Sequence, residues 1–294
     1  MSAKMNKVAR KNVHSIESNT CYDGCAIYIS QIVLCNNVIF CNCSFREREV
    51  QILYCEDCSF TQCNFHSLEL NFCKNLVLEG GCMEDLAITK GSVSWIKSAV
   101  QVKKMRVPVC SLDFNYLQNI KNLQSLDISA RIVNDRDLEH LQLFSQLEDL
   151  NLSGTKISEI APLQNIKHLC KLDLSYNSFR ENEWKNLGEL KNLEVLNLGR
   201  TNIKNANLEA LVNLTNLRFL YLGYTTISTA GLETLLQIPQ LEKLELPHTY
   251  ICDEAIEFFK QMSHLKHLGV YSSRMSRENI EFLREEMPWC CIHG

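Results

Sequence analysis

The chain has 294 residues, 46% of them hydrophobic and 22% charged, which is enough apolar material for a sizeable core and excludes disorder of the whole. A net charge of −4 and a pI near 6.1 give no global pull toward phosphate backbones or anionic membranes, so neither nucleic acid nor a membrane is an expected partner. No run reaches the roughly 18 apolar residues of a membrane span or the pattern of a secretory signal. The fifteen cysteines are odd in number and fall mostly at apolar, strand-like positions, so they read as reduced and buried in a cytosol, or in a host cytosol reached by a route other than general secretion.

Residues 1–20 are polar, basic and unpatterned, and are expected to be disordered. From 21 to 111 the short apolar runs AIYI, IVLC, VIFC, VQILYC, LEL, LVL and LAI predict a β-rich N-terminal cap. Within it Cys58, Phe60, Cys63, Phe65, Leu68, Leu70 and Cys73 keep a five-residue step. That step resembles the pentapeptide-repeat type of β-helix, and an irregular β-solenoid is the expected form. The same stretch offers Cys55, Cys58, Cys63 and His66 as metal ligands, because two, four and two residues separate these thiolates and imidazole. Three of the four also keep phase with apolar strand positions, which explains them as core residues without an ion, and no metal or other cofactor is expected.

From 112 to 288 a leucine-x-x-leucine-x-leucine pattern recurs, starting at Leu123, Leu147, Leu169, Leu193, Leu217, Leu241 and Leu265, at steps of 24, 22, 24, 24, 24 and 24 residues. Copies continue alike, as LNLSGTKI, LDLSYNSF, LNLGRTNI, LYLGYTTI and LELPHTYI, each with Thr155, Asn177, Thr201, Thr225 or Thr249 two positions before an apolar residue. These features resemble the leucine-rich repeat superfamily, in its threonine-type form common in bacteria and in effectors delivered into host cells. The resemblance implies that the polar position hydrogen-bonds the backbone where the chain leaves the strand, and that the strands form the concave side of a curved α/β solenoid. For residues 21–111, diverged repeats of this kind, with strands at Leu76-x-Leu78 and Leu86-x-Ile88, remain the alternative to a β-helix.

Behind each strand, Leu208, Leu211 and Leu214, Leu232, Leu235 and Ile238, and Leu138 with Leu141 repeat at three-residue steps and predict convex helices with one apolar face. The unit holding Pro162 is shorter, and a tight or 3₁₀-like turn is expected there. Pro288 should end the last helix, leaving 289–294 as a terminal cap with Trp289 and Cys290 folded over the final core layer.

No phosphate-binding, dinucleotide, zinc-protease or nucleophile-elbow motif occurs. Cys290, Cys291 and His293 have the residue types of a thiol nucleophile, but no oxyanion loop or third orienting group accompanies them, and no catalytic residue is assigned. His264 and His267 flank Leu265 and are not expected to share a metal.

Strand alternation directs Leu217, Leu220 and Leu222 inward and leaves Arg218, Phe219, Tyr221 and Tyr224 on the concave surface. Neighbouring units add Tyr176, Arg200, His248 and Tyr271 to the same candidate partner-binding face. Tyrosine and arginine are favoured at binding hot spots because they bury much area at low entropy cost. The rings could equally stack on one another as a purely structural ladder. The expected function is a monomeric, non-enzymatic scaffold that binds another protein, with a bacterial effector as one setting. The alternative is an enzyme regulator, such as a ubiquitin-ligase adaptor or a GTPase-activating protein, acting through Arg200 or a cysteine.

Overall fold

The computed structural model describes residues 5–90, 100–107, 114–130 and 133–294. The chain divides into two compact units, Met1–Arg131 with Leu143–Leu147 and Ile132–Gln142 with Glu148–Gly294. The expected boundary at 111 and 112 lies outside the described residues.

The N-terminal unit is a coil of short parallel strands. One face stacks Asn6–Ala9, Thr20–Asp23, Ile39–Cys41, Ser59–Thr61 and Val77–Glu79. A second stacks Asn12–Val13, Ala26–Ile27 and Ser44–Phe45, and a third begins with Gln31–Val33, Glu49–Leu53 and Ser67–Asn71. Lys7 stands opposite Cys21, Cys21 opposite Ile39, Ile39 opposite Ser59 and Ser59 opposite Val77, so the first of these turns of the coil takes 14 residues and the next three take 18, 20 and 18. Val77–Glu79 and Cys82–Lys90 are two residues apart in sequence yet belong to different faces, which diverged leucine-type units, one strand per unit, would not allow. The chain bends between faces in left-handed conformation, for example at Asn37, Asp57 and Asn75, where short polar side chains tolerate positive φ.

All seven residues of the five-residue step are buried. The rings of Tyr22, Phe40 and Phe60 stack inside at 5.2 and 4.9 Å, and Phe45 stacks on Phe65 at 4.2 Å. Cysteine suits the remaining inward positions because it is small and its thiol can donate to a carbonyl of the preceding turn: Cys43 to Tyr22 at 3.4 Å, Cys63 to Phe40 at 3.4 Å and Cys73 to Ile52 at 3.2 Å. The run 1–20, expected to lack order, instead contributes strands at Asn6–Ala9 and Asn12–Val13, because their amides and carbonyls pair with the next turn.

The C-terminal unit holds Asp149–Asn151, Lys171–Asp173, Val195–Asn197, Phe219–Tyr221, Lys243–Glu245, His267–Gly269 and Cys291–His293 as one parallel sheet in chain order. Leu150, Leu172, Leu196, Leu220, Leu244, Leu268 and Ile292 lie in register and form the buried spine. The leucine copy that starts at Leu123 supplies Ser125–Asp127, which packs in the N-terminal unit against Val100–Arg106.

The return at Pro162 is the 3₁₀ turn expected there, whereas the other return segments depart from the expectation of full helices. Ala161–Asn165, Glu181–Glu189 and Asn205–Asn213 are 3₁₀ helices, and α-helical turns enter only at Leu232–Leu235, Ile256–Gln261 and Arg277–Glu286. An α-helix is about 10 Å wide, whereas parallel strands repeat at about 4.8 Å, so the slimmer 3₁₀ form lets adjacent units stay in contact behind the sheet. Residues 289–294 are not a cap laid over the last layer. Cys291–His293 adds a further strand, Cys290 is buried in the role taken by Leu265 one unit earlier, and Trp289 is half exposed.

Candidate functional site

Where each unit leaves its strand, the chain turns through a left-handed residue: Tyr176 (φ 58°), Arg200 (56°), Tyr224 (58°) and His248 (53°). An L-residue there costs on the order of 1–2 kcal/mol. Two sets of hydrogen bonds hold it. The amides of Tyr176, Arg200 and Tyr224 donate to the carbonyls of Gly199, Gly223 and Pro247 in the next unit at 3.0, 3.0 and 2.8 Å. One residue later a buried hydroxyl closes the turn from inside: Thr201 donates to the Leu198 carbonyl, Thr225 to Leu222 and Thr249 to Leu246, each at 2.6 Å. Asn177 does more, reaching the carbonyls of both Leu174 (3.1 Å) and Leu152 (2.8 Å) and accepting from the Lys156 amide at 2.8 Å.

The left-handed residues therefore form an exposed column along the rim of the sheet, one per unit. Arg200 lies with its Cζ 5.2 Å from the Tyr176 ring centroid and 3.7 Å from that of Tyr224. His248 stacks on Tyr224 at 4.2 Å and meets Tyr271 edge-on at 6.1 Å. Tyr176 keeps 63% of its surface exposed and Tyr224 39%, so their edges and hydroxyls face solvent while the stacked faces do not.

Phe219 and Tyr221 stand elsewhere, on the outward face of their strand and half-buried. The Lys243 ammonium sits 4.7 Å from the Phe219 centroid. Tyr221 lies across Gly199 and Gly223, where a Cβ would come within 2.5 Å of its Cε1 and 2.7 Å of its hydroxyl. Burial, then the nearby Tyr271, Tyr224 and Glu245, push the Tyr221 hydroxyl up to about 12. Arg218 is apart from both groups, at the other end of the strand. It pairs with Glu242 at 3.3 Å, which also pairs with Lys266 at 2.9 Å, and all three line a groove of about 800 Å³ with His264 and Trp289. The eight residues drawn from sequence thus divide among a rim, a strand face and a groove.

Sequence reasoning missed a second exposed column, on the far side of the buried threonines. There the Arg274 guanidinium lies 4.2 Å from the ring of Tyr250, a residue two positions after His248. The signal was present, since Tyr250 follows Thr249 as directly as His248 precedes it, but strand alternation says nothing beyond the end of a strand.

Cys55, Cys58 and Cys63 point into the N-terminal coil, and His66 turns outward to Glu84 at 3.3 Å. Among the described residues no group of three or more His, Cys, Asp or Glu side chains is placed to hold a metal. Burial pushes the Cys290 thiol up to about 11, while the exposed Cys291 thiol lies 3.4 Å from His293 Nε2. His264 lines the groove and His267 stands on the strand face opposite Cys291, so the two do not converge. Among the described residues no helix is long and apolar enough to cross a membrane.

Residues 167–227, which include Tyr176, Arg200 and Tyr224, match the leucine rich repeat family. Among solved structures, an internalin C2 from Listeria monocytogenes is similar over 60% of this chain and 73% of its own, at 22% identity and a TM-score of 0.49. An internalin, inlF, from the same organism is similar over 99% of this chain and 86% of its own, at 16% identity and a TM-score of 0.42. No curated protein sequence matches the chain.

Proposed function

Because the C-terminal unit is an array of leucine-rich repeats, we propose that the chain is a non-enzymatic scaffold that holds another protein on the rim and outward face of that array. One observation carries the proposal. Tyr176, Arg200, Tyr224 and His248 occupy left-handed positions that glycine or asparagine would fill with less strain, and all four are exposed. Stability alone would not place large aromatic and cationic side chains there, whereas binding would, since such groups anchor interfaces. The neighbouring Phe219, Tyr221 and Tyr271 extend the contact area from the rim onto the sheet, and Arg218 marks its outer limit.

The threonine-type repeats resemble those of bacterial effectors, which favours a host protein as the partner. Core thiols bonded to carbonyls require reduced cysteine, which favours action in a cytosol. Affinity capture from a eukaryotic cell extract tests the proposal, comparing the wild-type chain with the double variant Tyr176→Ala/Tyr224→Ala after both are shown to unfold at the same temperature. A protein retained by the wild type and lost by the variant supports it. An identical set of captured proteins refutes it.

A further inference from the structure

We propose that the rim and the second column beside it together receive an acidic peptide segment of the partner, whose carboxylates dock on the guanidinium edges of Arg200 and Arg274; this rests on the rim being the protein-binding face. The first observation is local charge. The chain as a whole carries 34 acidic against 30 basic residues, yet the turn stretches that carry the two columns, 153–156, 175–178, 199–202, 223–226, 247–250 and 271–274, contain no Asp or Glu, while Lys156, Arg200, His248 and Arg274 fall within them. A basic strip on an acidic protein is electrostatically distinct from its surroundings, and it complements a segment of opposite sign.

The second observation is how the arginines are held. Elsewhere in the C-terminal unit Arg180, Arg218 and Arg284 pair with Glu159, Glu242 and Glu281. Arg200 and Arg274 instead lie over tyrosine rings, and no ion pair with either is found among the described residues. Stacking occupies the face of a guanidinium and leaves its N–H edge directed away from the ring. That edge matches a carboxylate in two parallel hydrogen bonds, and the stack has already removed much of the side chain's rotational freedom.

The same stacking separates a peptide from a single-stranded nucleic acid. Bases bind such surfaces by lying on free aromatic faces. Tyr224 is held between Arg200 of the unit before and His248 of the unit after, so it offers an edge and a hydroxyl but no face to a base. A peptide can use both, accepting from the hydroxyl through its carbonyls while its acids meet the arginines.

Fluorescence anisotropy of the full-length chain with labelled hepta-glutamate, hepta-glutamine and oligothymidine tests the inference. Saturable binding of the glutamate peptide that weakens as salt rises, with little binding of the glutamine peptide, is expected. Arg200→Gln/Arg274→Gln should weaken it by at least about tenfold, Arg200→Lys/Arg274→Lys should weaken it less because charge remains without the fork, and Arg180→Gln/Arg284→Gln should leave it unchanged. Absence of saturable glutamate binding, equal binding by the Arg200→Gln/Arg274→Gln variant, or tighter binding of oligothymidine than of peptide overturns it. A partner that is lost by Tyr176→Ala/Tyr224→Ala but captured undiminished by Arg200→Gln/Arg274→Gln overturns the acidic segment and leaves the scaffold standing.

Discussion

Replacing Gly199 with alanine isolates one contact that joins the rim to the strand face. A Cβ at this position would lie 2.5 Å from Cε1 and 2.8 Å from Cδ1 of Tyr221, and 3.2 Å from Asn197 Oδ1. Ordinary carbon contacts are about 3.5 Å or longer, so the ring must withdraw by about 1 Å. Gly199 is not among the glycines of positive φ, so alanine brings no backbone strain and even lowers the entropy of the unfolded chain. Overpacking of this kind costs about 1–3 kcal/mol, and the entropy gain returns less than about 1 kcal/mol, leaving a net loss of about 1–2 kcal/mol. Urea unfolding measures it. The ring's release has a second signature, since the Tyr221 hydroxyl titrates at about 12 only while it is buried and near Tyr271. A folded value raised above the unfolded 10.0 means that wild-type stability contributed by this group falls as pH rises from about 10 to about 12, and Gly199→Ala should narrow that window. Tyrosinate absorbance, with Tyr221→Phe identifying the signal, follows the shift. A variant as stable as the wild type, with Tyr221 still titrating near 12, would refute the packing argument.

Two further substitutions probe how the turns are held. Asn177→Thr places in this unit the residue used by its neighbours; it should keep the bond to Leu174 but lose those to Leu152 and from the Lys156 amide, at about 1–2 kcal/mol in urea unfolding, and a loss under about 0.5 kcal/mol would contradict the account. Glu183 is buried and accepts from the amides of Ile160 (2.9 Å) and Ala161 (3.1 Å) and from Asn186 (2.9 Å). Burial opposes its ionisation, but these donors together outweigh burial and hold the carboxyl below its ordinary value. The stability it contributes is therefore present above the unfolded value of 4.5 and lost as pH falls through the folded one. Glu183→Gln, which sets an amide N–H₂ among donors, should cost about 1–3 kcal/mol near neutral pH, and its deficit should shrink in acid; a deficit independent of pH would argue against the charge.

The repeat was legible because its signal is redundant. Seven leucine copies at nearly fixed period each found a strand, and every residue of the five-residue step found the interior of the coil. Apart from the turn at Pro162, expected and found as 3₁₀, the return segments were legible in position but not in type. Leu208, Leu211 and Leu214 keep a strict step of three, and that is the period of a 3₁₀ helix rather than of an α-helix. The final strand escaped notice because Trp289 and Cys290 replace the leucine that marks the others, and Asn6–Ala9 because its pairing is carried by backbone alone. Period-two alternation placed Phe219 and Tyr221 correctly on the outward face. It could not place Tyr176, Arg200, Tyr224 and His248, which lie past the strand's end, where a left-handed residue redirects the chain.

That redirection also explains why the rim can carry function. At some left-handed corners of the N-terminal coil the side chain adds a bond of its own, as where Asn37 donates to Asn19 and Asn75 to Asp57, each at 3.0 Å, whereas at Leu34 and Tyr54 the amide donates to the carbonyls of Leu53 and Asn71 in the next turn, also at 3.0 Å. In the repeats the buried threonine hydroxyl and the next unit's carbonyl do this work from inside. The exposed left-handed residue is then relieved of any local hydrogen-bonding duty, and its identity costs the fold only the strain of an L-residue at positive φ, which a tyrosine, an arginine and a histidine share nearly alike. A position held by its neighbours but free in its own side chain is one where residues can be exchanged for binding while the solenoid is preserved. The units with Tyr176, Arg200, Tyr224 and His248 differ there although their leucines and backbone bonds follow one pattern and the buried polar residue behind is threonine in three of them and Asn177 in the fourth.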